Sequence, residues 1–210
     1  PGFPLENKLS GNVVDLCPVG ALGDRDFLYQ QRVWFMKRHA GVCTGCSTGC
    51  SIWTEENQDR VYRIKPRENP QVNEWWICDE GRYGYHHVHD EGRVCTPEVR
   101  HDEATENVDW SDLISRLGEK LRSKSPLAMV LSPMLTVEAA YLAAKWAREI
   151  DPEAVLALGY VPQVGEDEVY PKGFTIRAEK CPNRRGVEEV IRHFAGEVTP
   201  WDTFLAQVDD

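Results

Sequence analysis

The feature that most constrains this chain is a group of four cysteines between residues 43 and 78. Three of them, Cys43, Cys46 and Cys50, have the spacing C-x2-C-x3-C, and Cys78 follows after twenty-seven further residues. Glycines interspersed with the triplet allow the chain to curl around a bound group, because glycine adopts backbone angles that other residues avoid. This arrangement predicts one metal site with all four thiols as ligands.

The spacing favours a cubane iron-sulfur cluster over the alternatives. Zinc ribbons usually divide their thiolates into two close pairs, whereas a close triplet with one remote cysteine commonly holds a 4Fe-4S cluster. A four-cysteine zinc site and free or disulfide-bonded cysteines stay open, although neighbouring thiols in a tight loop reach disulfide geometry with difficulty. The cofactor expected from the spacing is therefore a 4Fe-4S cluster.

Two segments carry a resemblance to a known family. The cysteine spacing followed by residues 78–85, CDEGRYGY, is similar to the small iron-sulfur domain that opens molybdopterin oxidoreductases. The upstream residues 9–22, LSGNVVDLCPVGAL, resemble the large iron-sulfur subunit, or G subunit, of NADH-quinone oxidoreductase, which is respiratory complex I. This resemblance rests on specific motifs from residue 9 to about residue 92, and beyond that point it rests only on the general sequence pattern.

The resemblance implies an electron-transfer subunit. One electron at a time would pass through a 4Fe-4S cluster, and the partners would be the other subunits of an NADH-quinone oxidoreductase. The expected location is cytoplasmic, in the peripheral arm at the cytoplasmic face of the membrane. In the large iron-sulfur subunit the cysteine that matches Cys17 closes a second 4Fe-4S cluster, whose other three ligands lie further upstream and are missing here. Cys17 is then either an orphan ligand or a buried structural cysteine.

The resemblance also predicts the fold class, which is α/β with a small irregular β-rich 4Fe-4S domain. Residues 1–33 would be the C-terminal remnant of a ferredoxin-like iron-sulfur domain with a connector. Residues 34–99 would form the 4Fe-4S domain, and residues 100–210 would begin a molybdopterin-oxidoreductase-like α/β domain. Because the chain begins at Pro1 and enters the family pattern partway, we expect it to be a fragment.

Hydrophobic periodicity predicts elements along most of the chain. The pattern of residues 51–65 predicts two short strands around a polar turn. Loops are predicted for residues 1–22 and 160–185, and a linker or surface loop is predicted for the acidic residues 100–108. Apolar spacing then predicts helices over 109–123 and 136–150, strands over 127–131 and 155–158, and a last helix through 187–194. Strand, helix and strand in this order imply a parallel α/β unit.

Charge and hydropathy exclude several classes of partner. The formal net charge is -10 with a pI near 5.1, and no lysine and arginine cluster is long enough to form a phosphate-binding face. Nucleic acid and anionic membranes are therefore not expected partners. The chain also has no apolar run of about eighteen residues, so we expect no membrane span.

Two positions bear on an alternative enzyme class, a catalytic molybdopterin subunit such as a formate dehydrogenase. Catalytic members typically carry a basic residue two positions after the last cluster cysteine, where this chain has Glu80. The reversed charge beside an anionic cofactor argues against molybdopterin in this chain. Cys181 lies about as far beyond the cluster as the molybdenum ligand of formate dehydrogenases, and a structural role is its other interpretation. No catalytic acid, base or nucleophile is expected.

Overall fold

The computed structural model describes residues 6–101, 104–123 and 126–208, and the chain divides into two compact units. The first unit contains Pro1–Glu91 and Pro162–Pro182, and the second contains Gly92–Val161 and Asn183–Asp210. Both units combine helices with small sheets, which agrees with the mixed α/β class expected from the sequence. The three-part division of the sequence stays a prediction.

The elements are short, and most follow the predicted pattern. The helices are α1 Asn12–Leu16, α2 Asp79–Tyr83, α3 Trp110–Arg122, α4 Val137–Ile150, α5 Arg184–Ala195 and α6 Trp201–Val208. The strands are β1 Lys37–Val42, β2 Ser51–Asn57, β3 Arg60–Pro66, β4 Glu98–His101, β5 Ala104–Asn107, β6 Ala128–Leu131, β7 Val155–Leu158, β8 Glu168–Val169 and β9 Thr175–Ile176. Short 3-10 turns occupy Val33–Phe35, Gly84–His89 and Pro171–Gly173.

The first unit is built on an antiparallel sheet in the order β1, β2, β3. The predicted hairpin of β2 and β3 is confirmed, and its turn residues Gln58 and Asp59 both have positive φ, which matches the twist of a two-residue hairpin. Across the sheet, the buried carboxylate of Glu55 on β2 pairs with Arg38 on β1 and Arg63 on β3. These ion pairs connect all three strands.

The segment 162–182 belongs to the first unit, and the prediction of a loop there is wrong in part. Its β8 and β9 form a small antiparallel hairpin in which Glu168 lies opposite Ile176. Phe174 and Ile176 are buried in the same apolar cluster as Cys43 and Ile77. Two-residue strands are too short to produce the alternation that identifies strands in a sequence.

The second unit contains the predicted parallel pair. Strands β6 and β7 run parallel with α4 between them in sequence, and Val130 lies opposite Ala157. Three alanines of α4 pack on this pair with apolar residues of α5, including Val187 and Ile191. The spacing of apolar side chains in the sequence identifies the core face of α5, but the face that it indicates for α4, with Ala139 and Leu142, is wrong because Leu142 is 64% exposed and the buried residues are alanines.

Two predictions for the remaining segments need correction. The acidic residues 100–108 are expected to form a linker or loop, but β4 and β5 pair in an antiparallel hairpin there, and residues 102–103 of that prediction lie outside the described part. Residues 1–22 also read as a loop, whereas α1 forms within them. Within the described residues, none of the helices has the length and apolar character needed to span a membrane.

Candidate metal centre

The four cysteines of the motif lie buried in the first unit. Cys43, Cys46, Cys50 and Cys78 are exposed by 7% or less. Three of them, Cys43, Cys50 and Cys78, pack in one apolar cluster with Ile77. Cysteines placed this way are shielded from water, as the ligands of a buried metal centre must be.

The sheet brings the first and third cysteines together. Because β1 and β2 are antiparallel neighbours, with Val42 opposite Ser51, the flanking Cys43 and Cys50 lie at the same end of the hairpin. The backbone N-H of Cys43 donates to the carbonyl of Cys50 at 2.8 Å. The triplet therefore forms the closed loop of a hairpin, with Gly49 at a positive φ of 66° inside it.

Helix α2 brings the fourth cysteine to this loop. Cys78 caps the helix, and its Sγ accepts a hydrogen bond from the N-H of Gly81 at 3.3 Å. A Cβ added at Gly81 would lie 2.9 Å from the Sγ of Cys43, so the first turn of α2 touches the triplet loop. A second backbone donor, the N-H of Gly45, lies 3.5 Å from the Sγ of Cys43. Backbone donors at sulfur favour the thiolate form.

The four thiols influence one another electrostatically. Burial raises the pKa of Cys50 to about 12 and that of Cys78 to about 11, and it raises the pKa of Cys43 as well. Cys43, Cys46 and Cys78 each add to the increase at Cys50. The thiols with raised pKa are therefore protonated at neutral pH in the absence of a cation, and binding a metal must release protons.

The four cysteine thiols are donors that suit a centre with several iron atoms. Among the described residues, no group of three or more His, Cys, Asp or Glu side chains has the geometry to hold a metal ion. In a 4Fe-4S cluster each iron takes one thiolate, so the sulfurs lie further apart than the ligands of one zinc ion. The structure brings the four cysteines to one buried region, and their role as ligands stays a prediction.

Two buried asparagines hold the backbone on either side of this region, and the sequence patterns point to neither. The side-chain amide of Asn12, in α1, donates to the carbonyl of Ile77 at 2.7 Å and accepts from the N-H of Ile77 at 3.3 Å. Asn73 accepts from the N-H of Ser51 at 2.9 Å and donates to the carbonyl of Trp76 at 2.9 Å. Ile77 directly precedes Cys78, Ser51 directly follows Cys50, and Trp76 lies two residues before Cys78.

An ion pair fixes α1 on α2. Arg82 is 3% exposed, and its guanidinium donates to Asp15 at 2.6 Å and to Asn12 at 3.2 Å. Burial acts to raise the pKa of Asp15, but Lys65 and Arg82 outweigh burial and hold that pKa below its usual value. Asp15 is therefore charged at neutral pH and neutralises the buried arginine.

The charge at Glu80, two residues after the last cysteine of the motif, is neutralised from a remote segment. Lys180 donates to the carboxylate of Glu80 at 2.8 Å. Burial raises the pKa of Cys43 most, Glu80 raises it further, and Lys180 lowers it. Both charged groups therefore act on the cysteine region.

The other two cysteines of interest have different surroundings. Cys17 is half-buried, and backbone N-H groups of the residues that follow it, led by that of Leu22, lower its pKa. Its assignment as an orphan ligand stays a prediction. Cys181 is fully buried, and its Sγ donates to Glu179 at 3.8 Å.

The three histidines His86, His87 and His89 lie exposed on the 3-10 turn of residues 84–89. A ring nitrogen of His86 lies 2.9 Å from Asp26, and His89 accepts from the N-H of Val61 at 2.9 Å. These contacts attach the turn to its surroundings. Cys95 is an exposed free cysteine.

Comparisons with known proteins agree with the geometry. Residues 36–90 match the family described as the molybdopterin oxidoreductase Fe4S4 domain. The chain is 35% identical over 149 residues to the G subunit of NADH-quinone oxidoreductase from Streptomyces coelicolor and 35% identical over 150 residues to NADH-quinone oxidoreductase subunit 3 of Thermus thermophilus. The G subunit from Rickettsia felis is 30% identical over 140 residues.

These matches cover 70%, 70% and 66% of this chain but 18%, 19% and 21% of the relatives. The chain therefore spans about a fifth of the length of the curated relatives that it matches. The resemblance to the G subunit expected from the sequence is confirmed, and so is the 4Fe-4S cluster as the cofactor.

Proposed function

From its match to the molybdopterin oxidoreductase Fe4S4 domain and its similarity to the G subunit, we propose that this chain is part of an iron-sulfur electron-transfer subunit of an NADH-quinone oxidoreductase. Cys43, Cys46, Cys50 and Cys78 hold its 4Fe-4S cluster. The observation that carries the proposal is the burial of all four thiols between the hairpin loop and the start of α2, within the matched segment.

The residues of this chain supply the ligands and their surroundings. When bound, a 4Fe-4S cluster supplies reversible one-electron oxidation and reduction. The four thiolates bind the irons, and the N-H groups of Gly45 and Gly81 orient toward sulfur and stabilise its negative charge. Ile77, Phe174 and Ile176 exclude water from one side of the site. The function needs no catalytic acid or base, in line with the role of an oxidoreductase subunit.

The rest of the chain fits the same proposal. The second unit, with its parallel β6 and β7 and the helix α4, is the beginning of a molybdopterin-oxidoreductase-like α/β domain that acts as a scaffold. Cys17 is the last ligand of a second cluster, and its backbone donors suit a thiolate. The partners are the other subunits of the complex, in a peripheral arm at the cytoplasmic face of the membrane.

Metal analysis of the anaerobically purified chain tests the proposal. We expect about four irons per chain and a brown colour. Cys46→Ser and Cys78→Ser should each lose most of the iron, because a serine hydroxyl is a poor replacement for a thiolate ligand. The matched control Cys95→Ser changes an exposed cysteine outside the motif and should retain the iron.

Three results would contradict the proposal. Stoichiometric zinc in a colourless wild-type protein would identify the structural zinc module that the cysteine spacing also permits. Equal iron loss in Cys46→Ser and Cys95→Ser would show that the motif has no special role. Iron retained by both motif variants would place the cluster on other residues.

A further inference from the structure

The segment 162–182 contacts the cysteine loop although it lies far from it in the sequence. The N-H of Ser47, next to Cys46, donates to the carbonyl of Glu179 at 2.9 Å. The hydroxyl of Thr48 donates to the carbonyl of Thr175 at 2.6 Å. These bonds hold the backbone of the distant segment against the loop between the second and third cysteines.

Lys180 extends from this contact to the other side of the site. It follows Glu179 in the chain, and its ammonium group donates to Glu80 at 2.8 Å, two residues after Cys78. The side chain of Lys180 is 16% exposed, whereas that of Glu80 is 59% exposed. Lys180 therefore reaches from the loop of the cysteine triplet to the helix of the fourth cysteine, and it is the better shielded member of the pair.

We propose that Lys180 and Glu80 are positioning residues that adjust the reduction potential of the four-cysteine site in opposite directions. The inference rests on the proposed function, because it requires a cluster at these cysteines. Lys180 raises the potential, Glu80 lowers it, and their contact balances the two effects. Lys180 lies beyond the matched residues 36–90, so its contribution comes from outside the matched segment.

The direction follows from the charge of the site. When the site takes one electron from a mediator poised with dithionite, its negative charge increases by one unit. A nearby cation stabilises the reduced form more than the oxidised form, and a nearby anion does the opposite. At an effective dielectric constant of about 20, a charge in the surroundings changes the one-electron equilibrium constant by roughly threefold to thirtyfold. This corresponds to about 30–90 mV.

A redox titration of the anaerobically purified 210-residue chain, followed by visible absorption and electron paramagnetic resonance, tests the inference. Lys180→Gln should lower the midpoint potential and Glu80→Gln should raise it. The double variant should return close to wild type, and Lys180→Arg should stay close to wild type because it keeps the positive charge. Iron is measured for every variant.

Lys37→Gln is the matched control. It removes one positive charge from the exposed start of β1, about 20 Å along the strand from Cys43, which exceeds the Debye length of about 8–10 Å. Its midpoint potential should equal that of wild type. A similar shift in Lys37→Gln and Lys180→Gln would show a general charge effect and would overturn the specific role of Lys180.

The signs of the shifts separate this inference from a structural role. If the ion pair served only to hold the fold, Lys180→Gln and Glu80→Gln would break the same contact and shift the potential in the same direction, which would overturn the inference. Unchanged potentials with full iron content would overturn it and leave the proposed function intact. Absence of iron from wild type would overturn the proposed function itself. If Lys180→Gln loses the cluster, the midpoint potential of Glu80→Gln decides. An upward shift supports the inference, whereas no shift or a downward shift overturns it.

Discussion

Replacement of Asn12 by leucine should loosen the backbone that carries the fourth cysteine. Asn12 is 3% exposed, and its amide bonds both the N-H and the carbonyl of Ile77, which is fully buried. Leucine has a similar branched shape but can neither donate nor accept a hydrogen bond. The substitution therefore leaves the buried N-H and carbonyl of Ile77 without this partner while the space stays filled, and the guanidinium of Arg82 loses its bond to Asn12 but keeps Asp15.

The size of the effect follows from those two groups. An unsatisfied buried polar group costs about 1–3 kcal/mol, so two of them cost about 2–6 kcal/mol. Because about 1.4 kcal/mol corresponds to a factor of ten in an equilibrium constant, local opening around Ile77 should increase by at least about thirtyfold. The effect should be confined to the first unit, since Asn12 and Ile77 both belong to it.

Hydrogen-deuterium exchange measured by mass spectrometry on peptides tests this prediction. A peptide covering residues 72–83 should exchange faster in Asn12→Leu, whereas one covering α5 should exchange as in wild type. Asn107→Leu is the matched control, because Asn107 is exposed on β5. Exchange of 72–83 within about threefold of wild type would refute the reasoning, because the expected increase is at least about thirtyfold. Equal acceleration of both peptides would show global unfolding instead of a local effect.

Two further predictions concern the cysteine loop and the sheet beneath it. Gly81→Ala should reduce the amount of bound iron, because the added Cβ would lie 2.9 Å from the Sγ of Cys43. Gly84→Ala should keep the iron, because the space around Gly84 is open. Equal iron in both variants would argue against the contact between Gly81 and Cys43. Burial acts to raise the pKa of Glu55, but its two arginine partners outweigh burial and lower it. This stabilisation is fully present above the unfolded pKa of Glu55 near 4.5, and it is lost as the pH falls through the lower folded pKa. Glu55→Gln should therefore reduce the free energy of unfolding at pH 7 by about 1.5–3 kcal/mol. The difference between the variant and wild type should become smaller in acid. Urea unfolding at pH 7 and pH 3 measures it, and an equal difference at both pH values would contradict the prediction.

The elements that can be predicted from the sequence are those whose pattern is local. Alternating side chains identify the hairpin of β2 and β3, and two apolar runs separated by an amphipathic stretch identify β6, α4 and β7. The hairpin of β4 and β5 escapes detection because all four residues of β5 are exposed and therefore show no apolar alternation. Periodicity detects a strand only when one of its faces is buried.

The four-cysteine motif can be recognised from its spacing, but the groups that hold its backbone in place cannot. Asn12 bonds a backbone group 65 residues away, and Lys180 pairs with a carboxylate 100 residues away. Nothing near Asn12 in the sequence distinguishes it from an ordinary polar residue at the start of a short helix.

The surroundings of the four cysteines therefore come from three separate stretches of the chain. The matched residues 36–90 provide the thiols, Asn12 enters from before them, and Phe174 and Lys180 enter from well beyond them. The entropy cost of closing a loop grows only with the logarithm of its length, so a segment about 100 residues away costs little more to recruit than a near one. Distant segments can therefore supply the shielding and charge of a site whose cysteines belong to one local motif. Reading the properties of such a site from its motif alone leaves out the groups that set its solvent access and its electrostatic field.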